Sequence, residues 1–229
     1  MHIGIVGVSA EGAALCYRTI CVEGAQYLGP WAHPEVSTHT SSFAEYQQLS
    51  EREDWPAMAA LMLNSANKLA SIGASFLICP ANTPHLAFPW LEPSSPLPWL
   101  HIVDVVAEEA ARRGFHRIGI LGTRFVMDSE LYPERLEARG LEAQRPTSAQ
   151  RATINRFIYD ELVRGICSPA ATDFHQQVIA HLKEEGCDAV VLGCTEIPLI
   201  ISDENSVLPT LDSTRLLARA ALRKAAGQP

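Results

Sequence analysis

The 229-residue chain has no Cys-x-x-Cys pair and no paired histidines at metal-ligand spacing. That excludes the common zinc sites, and no metal site is expected. Its six cysteines, Cys16, Cys21, Cys79, Cys167, Cys187 and Cys194, are scattered. Disulfide frameworks belong to short chains that cannot build a core, so these read as free thiols in a reducing cytoplasm. Runs of Lys and Arg are also missing, and the formal net charge is −8. Nucleic acid and anionic membrane are therefore not expected as partners. An anionic small molecule remains compatible, since one or two local cations suffice to hold it. No apolar stretch approaches the roughly 20 residues that span a bilayer. The apolar opening, residues 1–8, is too short for a secretory signal, lacks a basic region and soon meets Glu11. The first turn, Gly7-Val-Ser-Ala-Glu-Gly12, is not Gly-x-Gly-x-x-Gly, and no acidic residue ends the next strand. A dinucleotide site is rejected on both counts.

What is present is an ordinary globular composition, 47% hydrophobic and 19% charged, enough for one large domain or two small ones. The most informative stretch is Gly186-Cys-Asp-Ala-Val-Val-Leu-Gly-Cys-Thr-Glu-Ile-Pro198. Four apolar residues after an acidic helix end suit a strand covered on both faces. Gly193 lets the backbone turn, and Thr195, Glu196 and Pro198 suit the first turn of a following helix. A thiol at a strand end beside a helix N-terminus is favoured as thiolate, so Cys194 is a candidate base. A small buried core cysteine is the alternative.

The rest of the chain alternates strands and helices. Strands are expected over residues 3–8, 35–40, 75–79, 100–103, 117–121, 141–143, 189–192 and 207–211. Helices are expected over 13–26, 43–49, 54–71, 104–113, 125–139 with a weak point at Pro133, 154–164, 173–185 and from 212 or 213 onward. Residues 88–98 hold four prolines in eleven positions and are read as neither helix nor central strand. The domain boundary is placed there. Ser9 and the amides of its turn suit a carboxylate at a helix N-terminus, or Ser9 is a plain N-cap. Arg52, in a polar loop, is either solvated or a bidentate carboxylate ligand.

An internal repeat organises these elements. Ile3-Gly-Ile-Val-Gly-Val matches Ile118-Gly-Ile-Leu-Gly-Thr at an offset of 115, aligning Gly4 with Gly119 and Gly7 with Gly122. Gly73-Ala-Ser-Phe-Leu-Ile-Cys-Pro-Ala81 matches Gly186 to Cys194 at an offset of 113. The expected architecture is α/β: two pseudo-symmetric three-layer lobes with mostly parallel sheets and an active-site cleft between them. The lobes are assigned to residues 1–97 plus 210–229 and to residues 98–209. Ligands of open α/β sheets sit at strand carboxyl ends, which would put Ala81 and Cys194 on opposite walls. Two acid/base groups on opposite faces of one carbon can invert a stereocentre without a cofactor, and thiols suit that task.

Gly193-Cys-Thr-Glu-Ile197 with Asn82-Thr-Pro-His85, in that order on matched strand tips, resembles the cofactor-independent aspartate/glutamate racemases. Their wider superfamily includes hydantoin racemases, maleate isomerases and arylmalonate decarboxylases. Leu121-Gly-Thr123 and Ile158-Tyr-Asp-Glu-Leu162 followed by Gly165 extend the resemblance to nearly the whole chain. The resemblance implies two cysteine bases, no cofactor, a small amino-acid or carboxylate substrate and a homodimer. Cys194 matches the second cysteine. The first should precede Asn82, where this chain has Ala81, a residue that can neither take nor give a proton. Some relatives carry Thr or Asp there. Cys79 lies two residues back inside the strand, and His85 or a water are the other substitutes. Asn82, Thr83, Thr123 and Thr195 are the expected substrate hydrogen-bonding residues. Arg164 lies near a basic residue of such racemases, and Glu196 would orient Cys194, meet the substrate ammonium or simply serve a helix N-terminus. The expected function is an amino-acid racemase, impaired or one-sided through Ala81. The alternatives are a one-cysteine decarboxylase or isomerase of the same superfamily, or a non-catalytic amino-acid-binding protein.

Overall fold

The computed structural model describes residues 1–228. Eight short strands form two sheets: β1 (Ile3–Gly7), β2 (Val36–Thr40), β3 (Phe76–Ile78), β4 (Trp99–Leu100), β5 (Arg117–Gly122), β6 (Glu142–Gln144), β7 (Ala189–Gly193) and β8 (Thr210–Asp212). Their orders are β2-β1-β3-β4 and β6-β5-β7-β8, and every pair is parallel. The central strands are continuous apolar runs buried on both faces, as parallel sheets flanked by helices require.

Two compact units follow from the contacts. The first lobe is Met1–Val105 with the chain from Thr214 onward, and the second is Val106–Ser213. Each has its own core, one around Val6, Met62, Leu69 and Leu77, the other around Leu121, Ile179, Leu182 and Val190.

The sequence repeat is a repeat of strand register. Ile3 lies opposite Phe76 in the first sheet, and Ile118 opposite Ala189 in the second; these are the residues that the two offsets align. The helices before β3 and β7 repeat too. Trp55–Ser71 buries Met58, Met62, Ser65, Ala66 and Leu69, together with Ala59. Pro169–Glu184 buries Ala171, His175, Val178, Ile179 and Leu182, at the same spacings. In both lobes a helix leucine covers a strand glycine: a Cβ on Gly4 would lie 3.3 Å from Leu69 Cβ, and one on Gly119 would lie 2.9 Å from Leu182 Cδ1. Glycine at these positions lets helix and sheet approach closely.

Several local expectations need correction. The first part of the stretch 88–98 does form helix, in single turns: Phe88–Leu91 and the 3₁₀ turn Glu92–Ser94. Pro89 and Pro93 stand at the starts of these turns, where a missing N–H is not needed, while Pro96 and Pro98 lie beyond them outside any helix. Residues 100–103 are not a strand of the second lobe. Trp99–Leu100 pairs with β3, and the helix Ile102–Arg112 begins at once. The helical stretch 125–139 breaks at Ser129, not Pro133, giving Arg124–Asp128 and Leu131–Glu137. Ser129 is extended, and its carbonyl accepts a 2.7 Å hydrogen bond from Arg145, whereas Pro133 sits harmlessly in a first turn. The helix expected at 154 begins at Ser148, set by a capping box between Thr147 and Gln150.

Candidate active site

The tip of the second lobe is built on two glycines. Gly122 of β5 and Gly193 of β7 are register partners. A Cβ on Gly193 would lie 2.6 Å from Leu121 O, and one on Gly122 would lie 2.9 Å from Gly193 O. Backbone cannot yield there, so both positions need glycine. The residues that follow, Thr123 and Cys194, therefore leave adjacent strand ends together. Both are buried, Thr123 at 8% exposure and Cys194 at 7%.

Glu196 folds back onto this tip. Cys194 Sγ donates to Glu196 Oε2 at 3.0 Å, and Thr195 Oγ1 donates to the same oxygen at 2.6 Å. Glu196 itself is 4% exposed. Burial first, and the neighbouring carboxylate second, push the Cys194 thiol well above its ordinary range. This reverses the expectation of a helix-stabilised thiolate. Only the 3₁₀ turn Ile197–Leu199 follows, too short for a helix N-terminal field, and a carboxylate occupies the thiol's side instead. In this state the thiol is a proton donor held in one orientation.

The tip of the first lobe has the same topology and different chemistry. Ser9 follows β1 and is the N-cap of the helix Ala10–Glu23, accepting from Gly12 N at 3.2 Å. Ala81 is half-buried against the lobe core. Asn82 is buried and opens the 3₁₀ turn Thr83–Ala87, in which Thr83 is half-buried. Ala81 O accepts from His85 Nδ1 at 2.8 Å, and His85 Nε2 accepts from Ile102 N at 3.3 Å. Both ring nitrogens are thereby used, and the ring stacks on Phe88 at 4.4 Å between centroids. His85 is a neutral structural histidine. Cys79 is no better placed to act as base: it is fully buried, its thiol is pushed up to about 12 by that burial, and it reaches only Ala81 O at 3.8 Å.

The two candidate cations are not on strand tips. Arg52 is exposed at the C-terminal end of the helix Phe43–Glu51, its backbone N–H bonded to Gln48 and Ser50 carbonyls. Arg164 is exposed in the 3₁₀ turn Leu162–Arg164, which Gly165 ends in the left-handed region at φ +74°. One residue that the sequence reading passed over does sit at a tip. His101 follows β4 directly and is buried. It was hidden because residues 100–103 read as strand interior. Among the described residues, no three His, Cys, Asp or Glu side chains come together to hold a metal, and no helix is long and apolar enough to cross a membrane.

Two four-stranded parallel α/β lobes of matching topology, with a buried Cys-Thr-Glu tip on one of them, define the class of two-lobed amino-acid racemases. The family profile described as Asp/Glu/Hydantoin racemase matches residues 5–221, and the chain belongs to that family. A broad specificity amino-acid racemase, RacX of Bacillus subtilis (strain 168), is 25% identical over 172 residues, covering 74% of this chain and 73% of RacX. A candidate Asp/Glu racemase from Yersinia pestis superposes with a TM-score of 0.89 at 34% identity, over 98% of each chain. An aspartate racemase homologue from Pyrococcus horikoshii OT3 gives 0.84 at 29% identity, over 98% of this chain and 99% of the other.

Proposed function

We propose that this chain is a cofactor-independent amino-acid racemase in which Cys194 exchanges the Cα proton and Ala81 occupies the first-base position. The observation that carries the reading is the buried thiol at the β7 tip, oriented at 3.0 Å by Glu196. Relatives named for aspartate, and one named for broad amino-acid specificity, support a small amino acid as substrate class. In the free protein Cys194 holds its proton. A substrate ammonium near Glu196 would offset the carboxylate charge and ease formation of the thiolate, since an opposite charge nearby favours ionisation of its neighbours. The thiolate then removes the Cα proton from one antipode. Run in reverse, the thiol returns it. Loss of one general acid/base typically costs about 10²–10⁴-fold, so without a thiol at residue 81 inversion is slow or one-sided.

Incubating each enantiomer of aspartate, glutamate and small neutral amino acids in D2O tests this, with Cα exchange and enantiomer ratio followed together. Exchange that depends on Cys194 is expected. Equal exchange in Cys194→Ala sinks Cys194 as the base. The lone thiol also favours a second reading, a one-cysteine decarboxylase or isomerase. That reading predicts loss of CO2 or a geometric isomer from a carboxylate substrate, with no Cα exchange of amino acids. Saturable amino-acid binding without any turnover would instead indicate a binding protein.

A further inference from the structure

We propose that Lys68 is an acylation site, a lysine whose amine is made nucleophilic by His39 and takes an acyl group from acyl phosphates or thioesters. The site lies wholly in the first lobe and is independent of the racemase reading. The chain has only three lysines, Lys68, Lys183 and Lys224, and all three are exposed. They differ in what each ammonium meets. Lys183 Nζ donates to Val207 O at 3.2 Å, and Lys224 Nζ lies 5.6 Å from the centre of the Phe76 ring. A carbonyl and an aromatic face both favour the charged ammonium, and neither can take a proton from it. Lys68 Nζ instead donates to His39 Nε2 at 3.0 Å.

The imidazole is held for that task. His39 is half-buried on β2, and Ser65 and Lys68 stand one turn apart on the helix Trp55–Ser71, so both reach the same ring. His39 Nδ1 is 3.0 Å from Ser65 Oγ, and Ser65 is fully buried. An ammonium only donates, so Nε2 is the acceptor here and Nδ1 carries the ring proton, which it donates to Ser65 Oγ. That bond fixes the tautomer and points a lone pair at Nζ. Burial first, and the Lys68 charge second, hold the ring's pKa below its ordinary value, so His39 is neutral at neutral pH and able to accept. Lys68 becomes a nucleophile once its ammonium loses one proton to water. The Nζ electron pair attacks the acyl carbon and the C–N bond forms. The bond from that carbon to the phosphate oxygen or thioester sulfur breaks, its electron pair staying on the leaving group. The proton then lost by Nζ passes to His39 Nε2 and on to solvent. The product amide keeps one N–H, which can still donate to Nε2, while the charge is gone.

The test treats the whole protein with acetyl phosphate in one arm and an acetyl thioester in the other. Peptide-resolved mass spectrometry follows acetylation of each lysine. In at least one arm Lys68 should react about tenfold faster than Lys183 and Lys224, less than the roughly 10²–10⁴-fold of a general base acting on a bound substrate. The arm that shows the preference identifies the donor. His39→Gln should bring Lys68 down to the rate of the other two. Glutamine can accept the Lys68 hydrogen bond but cannot take its proton, so a merely structural contact would leave the rate unchanged. Ser65→Ala, which frees the ring to turn, should slow Lys68 severalfold. Lys183 and Lys224 should keep their wild-type rates in both variants, which shows that each chain folds. Lys68 reacting no faster than the other two lysines in either arm overturns the inference, and that comparison needs no variant. Undiminished acetylation of Lys68 in His39→Gln overturns it as well.

Discussion

The two strand tips, residues 79–85 and residues 192–196, stand at equivalent places in equivalent sheets and do opposite things with their side chains. In the second lobe a carboxylate folds back to orient a thiol. In the first, the matching residue is Ala81, and the polar groups around it serve its backbone: His85 donates to its carbonyl and Cys79 sits beneath it. Duplicated topology preserves register, glycine contacts and the spacing of buried helix residues, because all of these hold up the sheet. It does not preserve tip chemistry, which the sheet does not need. Four substitution experiments test this difference between the lobes.

The largest effect is expected at the tip itself. Cys194→Ala should lower Cα exchange by about 10²–10⁴-fold, while Cys79→Ala should leave it nearly unchanged. Deuterium incorporation by NMR checks both. A comparable loss in Cys79→Ala would mean that the first lobe contributes a thiol after all.

Next come the glycines at the strand ends within each lobe. Gly193→Ala forces a methyl to 2.6 Å from Leu121 O and should cost about 2–3 kcal/mol, as overpacking against rigid backbone does. Gly7→Ala in the first lobe meets the Thr40 hydroxyl, a side chain that can rotate away, and should cost about 1 kcal/mol. Urea denaturation of the two variants gives the difference. Equal costs would show that the strand ends are equally tight in both lobes.

How much of this was legible beforehand follows the same division. The apolar runs of β1, β3, β5 and β7 and the glycines at matched offsets were readable because parallel strands buried on both faces leave no choice of residue type. The repeat even carried the register. Both helices before β3 and β7 were expected, but the correspondence of their buried positions was not, because Met58 and Met62 correspond to Ala171 and His175, which share burial but not chemistry. His101 was missed because a two-residue strand, Trp99–Leu100, followed directly by helix looks in sequence like one longer apolar run. The state of Cys194 was misread for a related reason. Thr195, Glu196 and Pro198 suit a helix start by composition, but the turn between them points the carboxylate back at the thiol. That is a tertiary fact about two residues, with no periodicity to announce it.

The third expectation concerns that carboxylate. Glu196→Gln removes both the charge and the charged acceptor that hold the Cys194 proton, so the thiol should ionise at lower pH. A lower thiol pKa means more thiolate at fixed pH, so alkylation of Cys194 should quicken. Peptide-resolved iodoacetamide labelling against pH measures it, with fully buried Cys79 as the internal slow reference. An unchanged rate would show that burial alone sets the thiol's behaviour.

The smallest effect tests the helices under the tips. His175 is fully buried on Pro169–Glu184 where the first lobe has Met62. Its Nδ1 pairs with Ala171 O at 2.7 Å, and Nε2 has no hydrogen-bond partner among the described residues. Burial lowers its pKa below the ordinary 6.5, only partly offset by the Ala171 bond. The unfolded chain therefore takes up a proton at a higher pH than the folded one. Stability is full above about pH 6.5 and falls as pH drops from there toward the lower folded-state value. His175→Met removes that loss while keeping an apolar side chain of similar volume, as the first lobe already does. The slope of unfolding free energy against pH below 6.5 should flatten by up to about 1.4 kcal/mol per pH unit, one proton's worth. Urea melts at pH 5.5 and 7.5 read it directly. A slope unchanged by the substitution would mean that the folded protein protonates this histidine as readily as the unfolded chain, and that the second lobe's core tolerates a charge where the first lobe's has none.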